Sequence, residues 1–364
     1  MEVQYNNIHP RFKFQGIHYS FGQLNEVAYS LIKEGDEDER AIGDFLMDWI
    51  SGHETLHVKT SGSTGKPKSI TLSKQAMVNS ALATAAYFGL KEKNTALLCL
   101  SANHIAGKMM LVRAMVLGLE LDHVPPTSTP LSGITREYDF CAMVPMQAEK
   151  SIKQLGKIKT LIVGGGPISP ELENSLQKKK LRIFETYGMT ETCSHVAVRQ
   201  LSGTGVKEKQ KTAGAFHTLP GITVTQDKRN CLVLHAKDLS EAPIVTNDVV
   251  TLLSDTEFQW LGRFDNVINS GGVKLIPEVI EEKLRPILSE RFMVAGVPDK
   301  SLGQKLVLIV EGMTNKQALH EKIAGLGTLD KWEMPKDIFT VAHFKTAENG
   351  KLLRNEIQKE LLQP

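Results

Sequence analysis

Residues 57–70 read His-Val-Lys-Thr-Ser-Gly-Ser-Thr-Gly-Lys-Pro-Lys-Ser-Ile, and these residue types suit a phosphate cradle. Glycines let backbone N–H groups approach an anion, hydroxyls donate hydrogen bonds, and Lys66 adds charge. The spacing excludes the two common nucleotide loops. A Walker A loop needs four residues between its glycines and a magnesium-binding hydroxyl after its lysine. Here Ser63 and Thr64 alone separate Gly62 from Gly65, and Pro67 follows Lys66. Gly164-Gly165-Gly166 likewise lacks the GxGxxG spacing of a dinucleotide fingerprint. An overlapping pattern, His53-Glu-Thr-Leu-His57, matches the HExxH of zinc metallohydrolases. That site needs a helix, because only helical i, i+4 spacing turns both histidines toward one metal. Ser51 and Gly52 precede the pattern and β-branched alternation carries it into glycines, so the sequence predicts a strand entering a loop. His53 and His57 are then ordinary strand residues.

Four later segments carry chemistry-bearing residues in a fixed order. They are Gly-Gly-Gly-Pro-Ile-Ser (164–169), Tyr-Gly-Met-Thr-Glu-Thr (187–192), Gly-Arg-Phe-Asp-Asn with the following Ser-Gly-Gly-Val-Lys (262–274), and Glu-Asn-Gly-Lys-Leu-Leu-Arg (348–354). Thr-Asn-Asp-Val-Val (246–250) precedes the third. With the loop at 60–68, this set resembles the signature segments of the adenylate-forming superfamily of acyl- and aryl-CoA synthetases, luciferases and peptide-synthetase adenylation domains. The resemblance spans residues 60–357.

It implies a two-step reaction. A carboxylate attacks the α-phosphate of magnesium-ATP to give an acyl-adenylate and pyrophosphate, and the thiol of coenzyme A then displaces AMP. Positioning and charge neutralisation supply most of the rate in such a first step. The resemblance places Thr60, Ser61, Gly62, Ser63, Thr64, Gly65 and Lys66 around the β- and γ-phosphates. Gly164, Gly165, Gly166, Tyr187 and Gly188 would flank the adenine, and Thr190 would bond the α-phosphate. Glu191 would ligate Mg2+, a hard cation suited to carboxylate oxygen. Asp248 and Arg263 would grip the ribose. Lys351 would bridge the carboxylate and the α-phosphate, Asp265 would be a hinge, and Gly271 and Gly272 would leave a channel for coenzyme A. Asn247 departs from the family's usual glycine before Asp248, and Asn349 from its usual hydroxyl residue before Gly350. The phosphate loop also begins about a hundred residues earlier than is typical, which implies a reduced N-terminal region and a compact ligase.

Ser101–Gly118 and Tyr187–Arg199 resemble the corresponding segments of the o-succinylbenzoate–CoA ligases, enzymes of menaquinone biosynthesis. Such a substrate keeps one carboxylate unreacted, and His104, Arg113, His195 and Arg199 are candidates to hold it by proximity to these motifs. A helical arginine such as Arg113 is more often a solvated or ion-paired surface residue. Another small aryl- or acyl-CoA ligase is the alternative, with a zinc hydrolase or a nucleotide-binding pseudoenzyme more remote.

The elements that must position these residues follow from periodicity. Residues 73–89 have a serine N-cap, an alanine-rich body and a closing glycine, which predicts a helix. Strands are expected at 95–100, 119–124, 139–144, 159–164 and 181–187, with helical stretches between them. Alternation of this kind implies an α/β fold: a mostly parallel sheet covered by helices, its ligands bound beyond the strand C-termini. Residues 214–261 break into short strands, and 266–364 look like a small α+β module. The expected domains are therefore an ATP- and carboxylate-binding part at 1–263 and a mobile C-terminal part at 266–364, hinged near Asp265. The 364 residues carry a net charge of +2 and no long apolar run, so nucleic acid and integral membrane association are not expected. Four dispersed cysteines without a CxxC pattern suit free thiols in the cytoplasm.

Overall fold

The computed structural model describes residues 3–59, 69–203, 214–346 and 352–362. The chain forms two compact units, Met1–Thr223 with Leu234–Ile244, and Val224–Val233 with Val245–Pro364. The border expected near Asp265 thus falls inside the second unit.

The first unit opens with a two-strand ribbon, β1 (Lys13–Phe14) and β2 (Ile17–His18), followed by helices α1 (Leu24–Glu34) and α2 (Glu37–Ile50). Asp36 caps α2: its carboxylate accepts from the backbone of Asp38 and Glu39 at 3.0 and 2.9 Å, and Glu39 returns the bond to Asp36 N. A hairpin follows, β3 (Thr55–Lys59) against β4 (Ser69–Ser73), running directly into α3 (Lys74–Phe88). The α3 punctuation is as expected, with Ser73 accepting from Ala76 N at 3.4 Å and Gly89 closing the helix at φ +73°. Alternation then continues through β5 (Thr95–Leu98), α4 (Ile105–Leu117), β6 (Glu120–His123), β7 (Tyr138–Met143), α5 (Pro145–Lys150), β8 (Ile158–Val163), α6 (Pro170–Gln177) and β9 (Arg182–Gly188). Strands β10 (His195–Ser202) and β11 (Ala215–Thr218) complete it.

In this unit the sheet order is β11-β10-β9-β8-β7-β5-β6-β1-β2. The run from β9 to β1 is parallel throughout, and β10 turns back antiparallel on β9. Successive strand residues face opposite sides, and both sides are covered. Leu97, Cys141, Leu161 and Ile183 pack with Ala148 of α5 and Leu172 and Leu176 of α6. On the other face Phe140 and Phe184 meet Phe88 of α3 at ring distances of 5.8 and 5.1 Å. Helix α4 is buried almost all round, from Met109 to Val116, so its apolar sequence has no single stripe.

The second unit holds all but the first residue of β12 (Thr223–Gln226), the first three residues of β13 (Cys231–His235), all but the first residue of β14 (Ile244–Leu252), and its antiparallel partner β15 (Glu257–Arg263). After a short turn at 264–266 come β16 (Ile268–Ser270), β17 (Val273–Leu275), α7 (Pro277–Leu284), β18 (Phe292–Asp299), β19 (Gly303–Glu311), α8 (Lys316–Ala324), β20 (Asp337–Val341) and α9 (Arg354–Leu362). Helices cover both faces of this smaller sheet. Val294, Leu306 and Leu308 pack with Ile280 of α7 and Leu319 of α8, while Met293, Val307 and Ile309 pack with Ile357 of α9. Arg354, at the start of α9, forks onto Glu281 of α7 at 2.7 and 2.6 Å.

Candidate active site

The phosphate-loop residues Thr60, Ser61, Gly62, Ser63, Thr64, Gly65 and Lys66 lie outside the described residues, but their flanks do not. Lys59 and Ser69 form the last rung of the β3–β4 ladder, so the loop leaves and re-enters at one point. His57 is an exposed strand residue whose Nδ1 lies 3.1 Å from Thr71 Oγ1. His53 corrects the sequence expectation: it precedes the strand, which begins only at Thr55. With one histidine in a coil and the other in a strand, the helical geometry of an HExxH zinc site is missing, and the hydrolase alternative goes with it. Lys74, just beyond the hairpin, is fully buried and donates to the carbonyls of Trp49 and Ser51 at 2.9 and 3.0 Å. Burial holds its pKa below the ordinary value, with Asp48 opposing.

The glycines 164–166 follow β8, at the C-terminal end of a parallel strand where ligands of such sheets bind. A Cβ on Gly164 would strike Thr186 Oγ1, so the turn can approach β9 only as glycine. Tyr187 sits near the end of β9, its ring 5.9 Å from that of Phe216. Beyond it, Thr190–Thr192 form one 3₁₀ turn with Glu191 exposed. Thr192 fixes this turn: its hydroxyl accepts from Met189 N at 3.0 Å, and its single hydrogen is shared between Met189 O and Ser194 O at 2.9 and 2.7 Å. Gly188 packs against the returning chain, where any Cβ would collide with the Ser194 carbonyl. The segment Tyr187–His195 is therefore a tight corner that leaves Glu191 exposed and His195 buried.

Arg113 corrects the surface expectation. It is 1% exposed, on the buried helix α4. Its Nε donates to Thr84 Oγ1 of α3 at 3.3 Å, and its Nη2 donates to Ser194 Oγ and to His195 Nδ1, the latter at 3.4 Å. Among the described residues no carboxylate lies within ion-pair distance of it. Burial pushes its pKa down to about 9, which leaves the guanidinium charged at neutral pH. His195 is also buried, and burial together with Arg113 lowers its pKa well below the ordinary histidine value. The other two candidates do not join this cluster. Arg199 donates to Glu185 at 2.7 Å and to Glu173 at 3.0 and 2.9 Å, which makes it a satisfied ion pair. His104 is the exposed N-cap residue of α4.

In the second unit Asp248 and Arg263 are cross-strand partners, with Nη1 3.5 Å from Oδ1, and Trp260 Nε1 donates to the same carboxylate oxygen at 3.2 Å. Arg263 Nη2 also meets Asp265 at 3.0 Å. Asn247 Nδ2 donates to Asp265 at 3.3 Å, and its Oδ1 accepts from Arg229 Nη1 at 2.8 Å. Arg229 in turn lies over the Phe264 ring, 5.1 Å from its centre. Gly271 and Gly272 form the β16–β17 turn at φ +60° and +86°, which glycine alone adopts without strain. Lys351 and Asn349 lie outside the described residues. The chain on either side of 347–351 is joined by a bridge between Thr346 and Leu352 and by Leu353 N donating to Lys345 O at 3.0 Å.

A family model described as AMP-binding enzyme matches residues 58–228. A solved acyl-CoA synthetase (AMP-forming)/AMP-acid ligase II-like protein from Dyadobacter fermentans is 32% identical, covers 93% of this chain and 98% of its own, and superposes with a TM-score of 0.61. The chain belongs to the AMP-binding, adenylate-forming enzyme family. Other members similar to it include the 2-succinylbenzoate–CoA ligase of Listeria monocytogenes, 23% identical over 92% of this chain and 75% of that one. The o-succinylbenzoate CoA synthetase of Bacillus subtilis, solved with its acyl-adenylate intermediate, shares the fold at a TM-score of 0.75 and 17% identity, covering 96% of this chain and 95% of its own. Family membership accounts for the α/β architecture.

Sequence reasoning missed Ser194 and Thr84 as companions of Arg113, and Ser80 as the neighbour of Thr84. Ser80 and Thr84 are four residues apart on α3, and the Thr84 hydroxyl donates to Ser80 O at 2.9 Å. Their spacing on one helical face was the available signal.

Proposed function

We propose that this family member is an AMP-forming carboxylate–CoA ligase whose acid carries a second carboxylate, with o-succinylbenzoate as the substrate and menaquinone synthesis as the setting. The observation that carries this reading is Arg113: a buried cation, held by neutral acceptors beside the Tyr187–His195 corner, with no acidic partner among the described residues. A charge removed from water and left unpaired is costly unless a ligand neutralises it. The similar ligases named above support the same acid.

In this reading ATP and Mg2+ bind through the 60–66 loop, Gly164–Gly166, Tyr187, Gly188, Thr190 and Glu191. Glu191 is the exposed carboxylate that would hold Mg2+, and Asp248 with Arg263 would take the ribose. Lys351 would neutralise the meeting of carboxylate and α-phosphate. Residues 266–364 would swing about Asp265 between the two steps, bringing Gly271 and Gly272 to the coenzyme A thiol. Such a protein would work in the cytoplasm; among the described residues no helix is long and apolar enough to cross a membrane. Carboxylate-dependent ATP–pyrophosphate exchange across a panel of acids tests the reading. Exchange with o-succinylbenzoate, abolished by Lys351→Ala, is expected. Exchange only with monocarboxylic benzoates or fatty acids would replace it with another small CoA ligase, and no exchange with any acid would overturn it.

A further inference from the structure

The Arg113 cluster fixes the proton on the neighbouring imidazole. A guanidinium can only donate, so His195 Nδ1, facing Arg113 Nη2 at 3.4 Å and Ser194 Oγ at 3.2 Å, is the accepting nitrogen. The ring's hydrogen therefore sits on Nε2, and this atom is buried without a hydrogen-bond partner. Ser80 Oγ, on α3, is likewise buried and unpaired. Both residues line one small pocket, partly open to solvent and with room for little more than a single water-sized atom, walled by Ala83, Leu219 and Ile222 and rimmed by the exposed Asp238. Asn79 Nδ2 ties α3 to this rim through Asp238 O at 2.8 Å. Unsatisfied buried donors cost free energy and are retained where a ligand completes them.

We infer that His195 Nε2–H and Ser80 Oγ–H form a second recognition point of the acid pocket, one that takes an uncharged acceptor oxygen, such as a ketone, from the substrate's acyl chain. The inference rests on the ligase reading for its substrate and on the orphaned donors for its chemistry. A second anion is disfavoured there. The imidazole stays neutral, because burial and Arg113 oppose its protonation, and the Asp238 carboxylate at the rim repels negative charge. Arg113 and this pair thus divide the labour: the cation takes the spare carboxylate, and the neutral donors take the carbonyl that o-succinylbenzoate carries between its ring and its reacting end.

The test compares each keto acid that supports exchange with its methylene analogue, using the full chain. Wild type should favour the keto acid by about 10-fold in kcat/KM, the size of one good buried hydrogen bond. His195→Phe and Ser80→Ala should each cut that preference to within about 3-fold, through KM more than kcat, while His195→Gln, which keeps an N–H, should retain part of it. No preference in wild type, or an undiminished preference in both variants, overturns the inference. Absence of exchange with any acid would strike the ligase reading instead. In that case nitrogen NMR of the His195 ring still decides, since a neutral Nε2–H tautomer is expected at pH 7 and an Nδ1–H or doubly protonated ring refutes the assignment.

Discussion

Replacing Arg113 by methionine should make the empty protein more stable and the enzyme far less able to use its acid. The guanidinium is held at about 9, well below its ordinary value, by burial alone. At about 1.4 kcal/mol per tenfold change, that corresponds to roughly 5 kcal/mol of unfavourable burial. Its hydrogen bonds to Thr84, Ser194 and His195 offset part of this at about 1 kcal/mol each. Roughly 1–3 kcal/mol should therefore return when an apolar side chain of similar length fills the site, in line with buried ions replaced elsewhere. The melting temperature of the first unit should rise by a few degrees, read by calorimetry without ligand. With o-succinylbenzoate in the exchange assay, KM should rise by about 100-fold, the loss of one buried charge pair. The acid should also protect wild type against heat and leave the variant unprotected. A variant that melts lower, or one whose KM moves less than about 3-fold, would refute the reasoning that Arg113 is an uncompensated cation waiting for an anion.

Two further outcomes are expected in the second unit. Glu281→Gln should remove the carboxylate that holds Arg354 and also accepts from Val294 N at 2.7 Å. Breaking one side of such a pair should cost about 2–4 kcal/mol, discounted for the partial exposure of Arg354, and speed hydrogen exchange in α9; Glu281→Gln with Arg354→Met should recover part of the loss, and unchanged exchange would count against the pair as an anchor. Asn247→Gly, which restores the family's usual residue, should delete the bonds to Asp265 and Arg229. If residues 266–364 turn about Asp265, the ratio of adenylation to thioester formation, each assayed alone, should shift by about 3-fold or more, and an unaltered ratio would place Asn247 outside the hinge's control.

Much of this was legible in the chain because the signals are local. Ser73 and Gly89 mark the two ends of α3, and β-branched alternation marks β3 and so dismisses a zinc helix at His53–His57, although that strand starts two residues later than His53. Ion pairs and cavities are non-local and were not legible. Arg199 found its partners in β9 and α6, at residues 14 and 26 positions away. Arg113 lies in an apolar helix with no polar face, a pattern that forecasts burial, but its neighbours Thr84 and Ser194 come from a different helix and a corner 81 residues on. The contribution of Asn247 depended on Arg229, which the β-rich texture of 214–261 gave no reason to single out.

The placement of Ser80 and Thr84 on α3, and of Arg113 on α4, separates two kinds of information in the fold. In the proposed reading, Gly164–Gly166 and the Thr190–Thr192 turn, which would meet the nucleotide, follow strand ends, whereas the side chains that would surround the acid project from two neighbouring helices and a single corner residue, His195. A lineage could therefore exchange one acid for another by altering four positions while its adenylating chemistry stayed untouched. A designer could do the same: a library confined to Ser80, Thr84, Arg113 and His195 would sample new acids while leaving every residue proposed to meet the phosphates unchanged.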